Sequence, residues 1–245
     1  MSSGGASGRL DRGSTNRLTP HDLPRFPGDT LFEALARVVC QAGCLPRKEL
    51  YEAWEVARRV RRRIRGRRVM DFACGHGLLA HALLLLDDTS PEALAVDLSR
   101  PKSAGTLQAA LEGAWPRLAG RVSFLEADLG TVPLGAGDLV VSSHACGALT
   151  DVVLDRAVAV GAAVAVLPCC HALKHAETGG LEGWMDGPLA VDALRAARLH
   201  LQGYRVLTQA LPSEITPKNR LLLAWPEAQP VEPGPSSGIP PVGVP

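Results

Sequence analysis

Aromatic residues are scarce. Phe, Trp and Tyr together make up 4% of the 245 residues, and no stripe of them offers successive stacking faces to nucleic-acid bases. An excess of charge of one sign is also missing. The formal net charge is +1, so no whole-molecule field points to nucleic acid or membrane, and such a partner must be read from local patches. Long apolar runs are lacking too: Leu83 to Leu86 is among the longest, far short of the roughly 20 residues a bilayer helix needs. No membrane span is expected. The N-terminus has no apolar signal-peptide core, which argues against secretion. Six cysteines, Cys40, Cys44, Cys74, Cys146, Cys169 and Cys170, are too sparse for a secreted disulfide scaffold, and none forms a C-x-x-C pair. They read as reduced thiols of a cytoplasmic protein.

What is present suits one globular α/β unit, since 46% hydrophobic and 21% charged residues allow a real core. Residues 1–28 are rich in Ser, Gly, Arg and Pro without apolar periodicity and are expected to be a disordered tail; Pro- and Gly-rich residues 227–245 read the same way. Residues 29–66 form a predicted helical cap. Thr30 caps a helix over 30–41, Gly43 closes it, and Pro46 opens a second helix running to about Ile64. From 67 to 226, short apolar runs alternate with helical stretches, the pattern of a parallel sheet with crossovers. Strands are predicted at 68–72, 93–97, 122–125, 139–143, 162–167, 204–211 and 221–225. Helices are predicted at 78–86, 103–115, 149–160 and 189–202. The last two strands follow each other without a helix and should pair antiparallel as a hairpin. The expected architecture is a Rossmann-like, seven-stranded, mostly parallel sheet ending in that hairpin, with the N-terminal helices as a cap.

The first strand runs into Asp71-Phe72-Ala73-Cys74-Gly75-His76-Gly77, a Gly-rich turn before a helix. Glycine lets such a turn bend sharply and the backbone approach a ligand closely. The helix beyond presents free N–H groups. Any tight βα turn looks similar, so the turn alone is weak evidence. Two further acids strengthen it. Asp97 ends the second strand, where a carboxylate can take both ribose hydroxyls of a nucleotide. Asp128 follows the third strand, suited to an adenine amino group. Capping is the ordinary alternative for each. Ala80 could stand for the third glycine of a dinucleotide fingerprint, but Asp71 would repel a pyrophosphate and suits the ammonium of S-adenosylmethionine (SAM). The expected cofactor is SAM, held by Asp71, Ala73, Gly75, Gly77, Asp97 and Asp128.

Farther on, Ser143-His144-Ala145-Cys146-Gly147-Ala148-Leu149-Thr150-Asp151 and Pro168-Cys169-Cys170-His171 resemble paired "H-x-C-G-x-x-T-D" and "P-C-C-H" elements. They belong to a group of class I SAM-dependent methyltransferases that includes the eukaryotic tRNA acceptor-stem 2′-O-methyltransferase and related methyltransferase-like proteins. The resemblance covers about 68–171. It departs at Ala73, the first glycine position of the usual turn, and lacks the N-terminal zinc modules of the tRNA enzyme. It implies SAM binding more directly than an RNA acceptor. His144 or His171 is the candidate base, with rim packing as the alternative, and Cys146 and Cys169 should face the acceptor. A metal is not expected, because adjacent Cys169 and Cys170 on a strand end should point to opposite sides.

Eight arginines crowd Arg58 to Arg68. A phosphate backbone would favour such a run, yet it leads into the first strand from the side opposite the Gly turn. The 212–220 loop, with Lys218 and Arg220, should overhang the site and meet a polar or phosphorylated acceptor. Possible acceptors are RNA or a small molecule, with no obligate protein partner implied; a catalytically silent SAM-fold binding module is the non-enzyme alternative.

Overall fold

The computed structural model describes residues 11–174 and 176–227; the first ten residues and most of the expected trailing tail lie outside these. Thr30 caps α1 (Leu31–Ala42) by accepting from the Glu33 amide, and Gly43 ends it in the left-handed region at φ 64°. α2 (Arg47–Arg61) follows Pro46. The core unit then runs β1 (Arg68–Phe72), α3 (Leu78–Leu86), β2 (Ala93–Asp97), α4 (Ala104–Ala114), β3 (Val122–Glu126), β4 (Asp138–Ser142), α5 (Ala148–Val160), β5 (Ala163–Val166), α6 (Gly187–Leu201), β6 (Tyr204–Ala210) and β7 (Arg220–Pro226).

The seven strands form one sheet in the order β3-β2-β1-β4-β5-β7-β6. β7 is antiparallel to both its neighbours, β5 and β6, and the other pairs are parallel. The expected hairpin is therefore present, with its second strand inserted next to β5. Period-2 side-chain alternation divides the core. Val69, Ala95, Val141, Ala165 and Leu223 join α1 to α4 on one face, while Met70, Val96, Val140, Val164 and Leu222 join α5 and α6 on the other. α3 is buried along almost its whole length between the sheet and α2, which explains why it is apolar all round.

Residues 11–28 differ from the expected solvated tail. Leu18 and Phe26 are buried, Leu18 N–H donates to the Leu45 carbonyl (2.8 Å), and Arg47 and Lys48 N–H donate back to Asn16 and Ser14 (both 3.0 Å). Two apolar anchors and backbone pairing with the start of α2 hold this segment, and neither leaves a periodic signature.

Strand order reverses between β1 and β4, so beyond their carboxyl ends lies the crevice where open α/β sheets bind ligands.

Candidate functional site

The β1–α3 turn is built on left-handed backbone: φ is 54° at Ala73, 53° at Gly75 and 73° at Gly77. Ala73 adopts this region at a modest steric cost. Gly77 is required twice over, because a Cβ there would stand 2.6 Å from Phe124 Cζ. At Gly75 an added Cβ would meet no atom within 4 Å, so the turn is open above it.

Asp71 is not at that open face. It lies beneath the turn, 1% exposed, accepting from the Ala80 N–H (3.1 Å) at the start of α3. Central placement in the sheet removes it from solvent, and burial raises its pKa to about 7, with the negative Asp97 adding to the rise. A carboxyl raised in the folded state stabilises the fold when protonated, so its contribution is complete below about pH 4 and lost as pH rises through 7. Asp71→Asn should therefore gain stability over the parent by about 2 kcal/mol between pH 5 and pH 8 in urea denaturation. An equal difference at the two pH values would mean that this carboxyl titrates normally.

Asp97 does reach the crevice. Its Oδ2 accepts from Gly75 N–H (2.9 Å) and its Oδ1 from Leu98 N–H (2.8 Å), tying β2 to the glycine turn. Leu98 is 76% exposed, an apolar side chain left uncovered beside the acid. Asp128 is exposed and accepts from Gly130 N–H (2.7 Å). Sequence reasoning missed Leu98 and also His76, whose Nε2 lies 3.0 Å from Ser103 Oγ. The exposed-position leucine directly after the strand acid was the available signal.

From the opposite side of the crevice, His144 follows β4. Along with Cys74, His76, Ser143 and Glu49 it lines a narrow recess of about 20 Å³. The imidazole retains solvent contact at the mouth, but protein crowds the rest of it. That desolvation, with Lys48 adding to it and Asp97 opposing, lowers its pKa. It is neutral at neutral pH. Glu49, from the cap, was also missed; burial and nearby Glu52 raise its pKa, with Lys48 opposing.

His171 is elsewhere. It is 6% exposed, its Nε2 lies 2.9 Å from Asp192 Oδ1, and it borders a separate cavity of about 560 Å³ with Asp151 and Arg195. Arg220, expected to meet an acceptor, instead pairs with Asp192 (2.7 Å). Its place at the start of β7 points it at α6, a meeting of distant segments that no local pattern foretells. Arg195 completes the network by donating to both oxygens of Asp151 (2.9 and 2.7 Å), to Asp192 (3.3 Å) and to the Gly147 carbonyl (3.1 Å). Lys218 is exposed on the β6–β7 loop.

Cys169 and Cys170 also depart from expectation. β5 ends at Val166, so the pleat no longer sends consecutive side chains apart. The Cys146 and Cys169 sulfurs are 2.6 Å apart, those of Cys169 and Cys170 are 3.5 Å apart, and all three lie within 4.8 Å of one another.

In the arginine run, Arg58 and Arg59 pair with Glu55, while Arg68 forks onto Asp138 (2.9 and 2.8 Å). Arg62, Arg63 and Arg65 are exposed at the amino end of β1. No described helix is long and apolar enough to cross a membrane.

A family model described as a methyltransferase domain matches residues 47–177, more than half of the chain. No curated protein matches. Among solved structures, an O-methyltransferase family protein from Burkholderia thailandensis is similar at 18% identity and a TM-score of 0.51, over 87% of this chain. The chain spans 64% of that protein's length. Magnesium protoporphyrin IX methyltransferase from Synechocystis PCC 6803, solved with bound SAH, aligns at 17% identity over 84% of this chain and 94% of its own, with a TM-score of 0.48.

Proposed function

The chain belongs to the methyltransferase-domain family, and on that premise we propose that it is a SAM-dependent methyltransferase that methylates an oxygen or nitrogen of RNA with His144 as the base. The cofactor supplies an electrophilic methyl group carried on a sulfonium. The crevice fits it. The turn is open above Gly75, Asp97 and Asp128 keep acceptor lone pairs beyond those used by local amides, and Leu98 offers an apolar face beside them. In this reading Ala73, Gly75 and Gly77 let the backbone approach the cofactor, Asp97 takes the ribose hydroxyls and Asp128 the adenine side. Asp71 supports the turn from below.

One observation carries the reading: β1, β2 and β4 deliver the glycine turn, Asp97 and His144 to the same reversal in strand order, and His144 arrives neutral. A neutral imidazole can accept the acceptor's proton as the new bond forms, while positioning supplies most of the acceleration. Cys146, Cys169 and exposed Lys218 face the acceptor side. His171, held by Asp192, acts as a positioning residue for the loop that carries the cysteines. RNA is favoured by the paired His-Cys motifs and by Lys218 at the rim.

The test is incubation of the full chain with methyl-labelled SAM against total RNA and a metabolite extract. Label in RNA is expected; label confined to small molecules would refute the RNA acceptor, and label in neither would favour a silent binding module. With the labelled fraction in hand, His144→Gln should lower turnover on the order of a hundredfold with SAH affinity kept. The parent's kcat/KM should fall with acid below an apparent pKa under the usual imidazole value of about 6.5, because only the neutral ring accepts a proton. Unchanged turnover in His144→Gln would remove this residue from the chemistry.

A further inference from the structure

Three thiols meet where the β4–α5 and β5–α6 loops touch. Cys146 comes from the first loop and Cys169 and Cys170 from the second, and the loops are fixed together. Gly147 N–H donates to the Cys170 carbonyl (3.0 Å), Leu167 N–H donates to the Ser142 carbonyl (2.9 Å), and Arg195 grips the Gly147 carbonyl. A Cβ on Gly147 would press to 3.1 Å from that of Ala172, so the loops are as close as glycine allows. The result is a preformed set of soft donors, one exposed and two half-buried.

We propose that Cys146, Cys169 and Cys170 bind one thiophilic divalent cation, zinc in its ordinary form, with a fourth coordination position open at the rim. Three thiolates from rigid loops with an open fourth position match a zinc site that can still take a ligand. Zinc–sulfur bonds of about 2.3 Å in a tetrahedron set sulfurs about 3.8 Å apart. The Cys169–Cys170 separation of 3.5 Å is already close to that, and the Cys146–Cys169 pair must open by about 1 Å, within reach of side-chain rotation at exposed Cys146. Charge is also accommodated. Three thiolates around a divalent ion leave one net negative charge; burial pushes the Cys146 and Cys169 thiols up, a cost the ion's own charge must offset, while the Lys218 ammonium favours the thiolates of Cys146 and Cys170. Each thiol gives up its proton to solvent on binding, with no change in oxidation state. Among the described residues no His, Asp or Glu ligand atom joins the three sulfurs within 4.8 Å, so His171 is not the fourth donor. This inference is independent of which acceptor is methylated.

The test uses the reduced full chain, freed of metal by a chelator and titrated with Zn²⁺ and, in parallel, with Co²⁺. About one ion per chain is expected, with an intense thiolate-to-cobalt charge-transfer absorption and a rise in Tm with Zn²⁺. In Cys146→Ser, the exposed and least fold-critical position, affinity should fall at least tenfold and the charge-transfer band should weaken. Cys44→Ser should leave both unchanged. Absence of the band, or equal Zn²⁺ affinity in Cys146→Ser, would overturn the site. So would a Cys146–Cys169 disulfide that persists in the purified chain by non-reducing mass spectrometry and blocks the titration.

Discussion

Asp97→Ala should lower SAH affinity about a thousandfold, the largest binding effect expected from a single side chain here. Two charge-assisted hydrogen bonds to a ribose are worth about 1.5–3 kcal/mol each, which together correspond to that factor. A second loss accompanies the first. The Asp97 Oδ2 also accepts from Gly75 N–H at 2.9 Å, so removing the carboxylate leaves the glycine turn without its tether to β2. Asp97→Asn separates the two contributions. An amide oxygen can still accept from Gly75 and keep the turn in place, but it loses the charge that strengthens ribose contacts. Affinity should therefore order as parent, then Asn, then Ala in calorimetric titration with SAH, with unfolding midpoints of the three proteins close together. If Asp97→Ala bound SAH like the parent, the assignment of the crevice to the cofactor would fail.

The greatest loss of stability is expected at Arg195→Met. Its guanidinium is buried, with 2% of the side chain exposed, and serves Asp151, Asp192 and the Gly147 carbonyl at once. Methionine fills comparable volume but leaves the largely buried Asp192 and the third-exposed Asp151 without their shared cation. Breaking a buried ion pair from one side costs about 3–5 kcal/mol. Asp192 retains Arg220 and His171, and the third-exposed Asp151 retains Arg198 at 3.7 Å, which places the effect at or below the lower end of that range. Urea denaturation with its midpoint and slope is the measurement; a loss below about 1 kcal/mol would show that solvent reaches the network and screens it. Arg195→Lys should recover only part of the loss, because one ammonium cannot fork onto Asp151 while also reaching Gly147.

Legibility in the sequence followed how local the determining physics was. β1 and α3 were bounded correctly because an apolar run, a Gly-x-Gly turn and a second apolar run leave little choice of boundary. Asp97 was placed at the end of β2 and Gly77 in the turn because acids at strand ends and glycines at left-handed turns follow from the chain's own geometry. The 11–28 segment was misjudged because it is held by backbone pairing with α2 and by two isolated anchors. Periodicity cannot register either. Asp71 was correctly placed at a strand end, yet burial under α3 decides what it can touch. The two cysteines were assigned opposite directions on the premise that the strand continued to Leu167, and it stops one residue earlier.

By itself the sequence determined the α/β alternation, the positions of the strands, the glycine turn and the acids at the ends of the first three strands. Those features arise from hydrophobic period, turn chemistry and residues within a few positions of one another. Tertiary structure alone decided that β7 inserts between β5 and β6, that His144 opens to the crevice while His171 is locked to Asp192, and that Arg220 is taken by α6. Each of these depends on which distant segment packs alongside, and that outcome is set by the burial of the whole core.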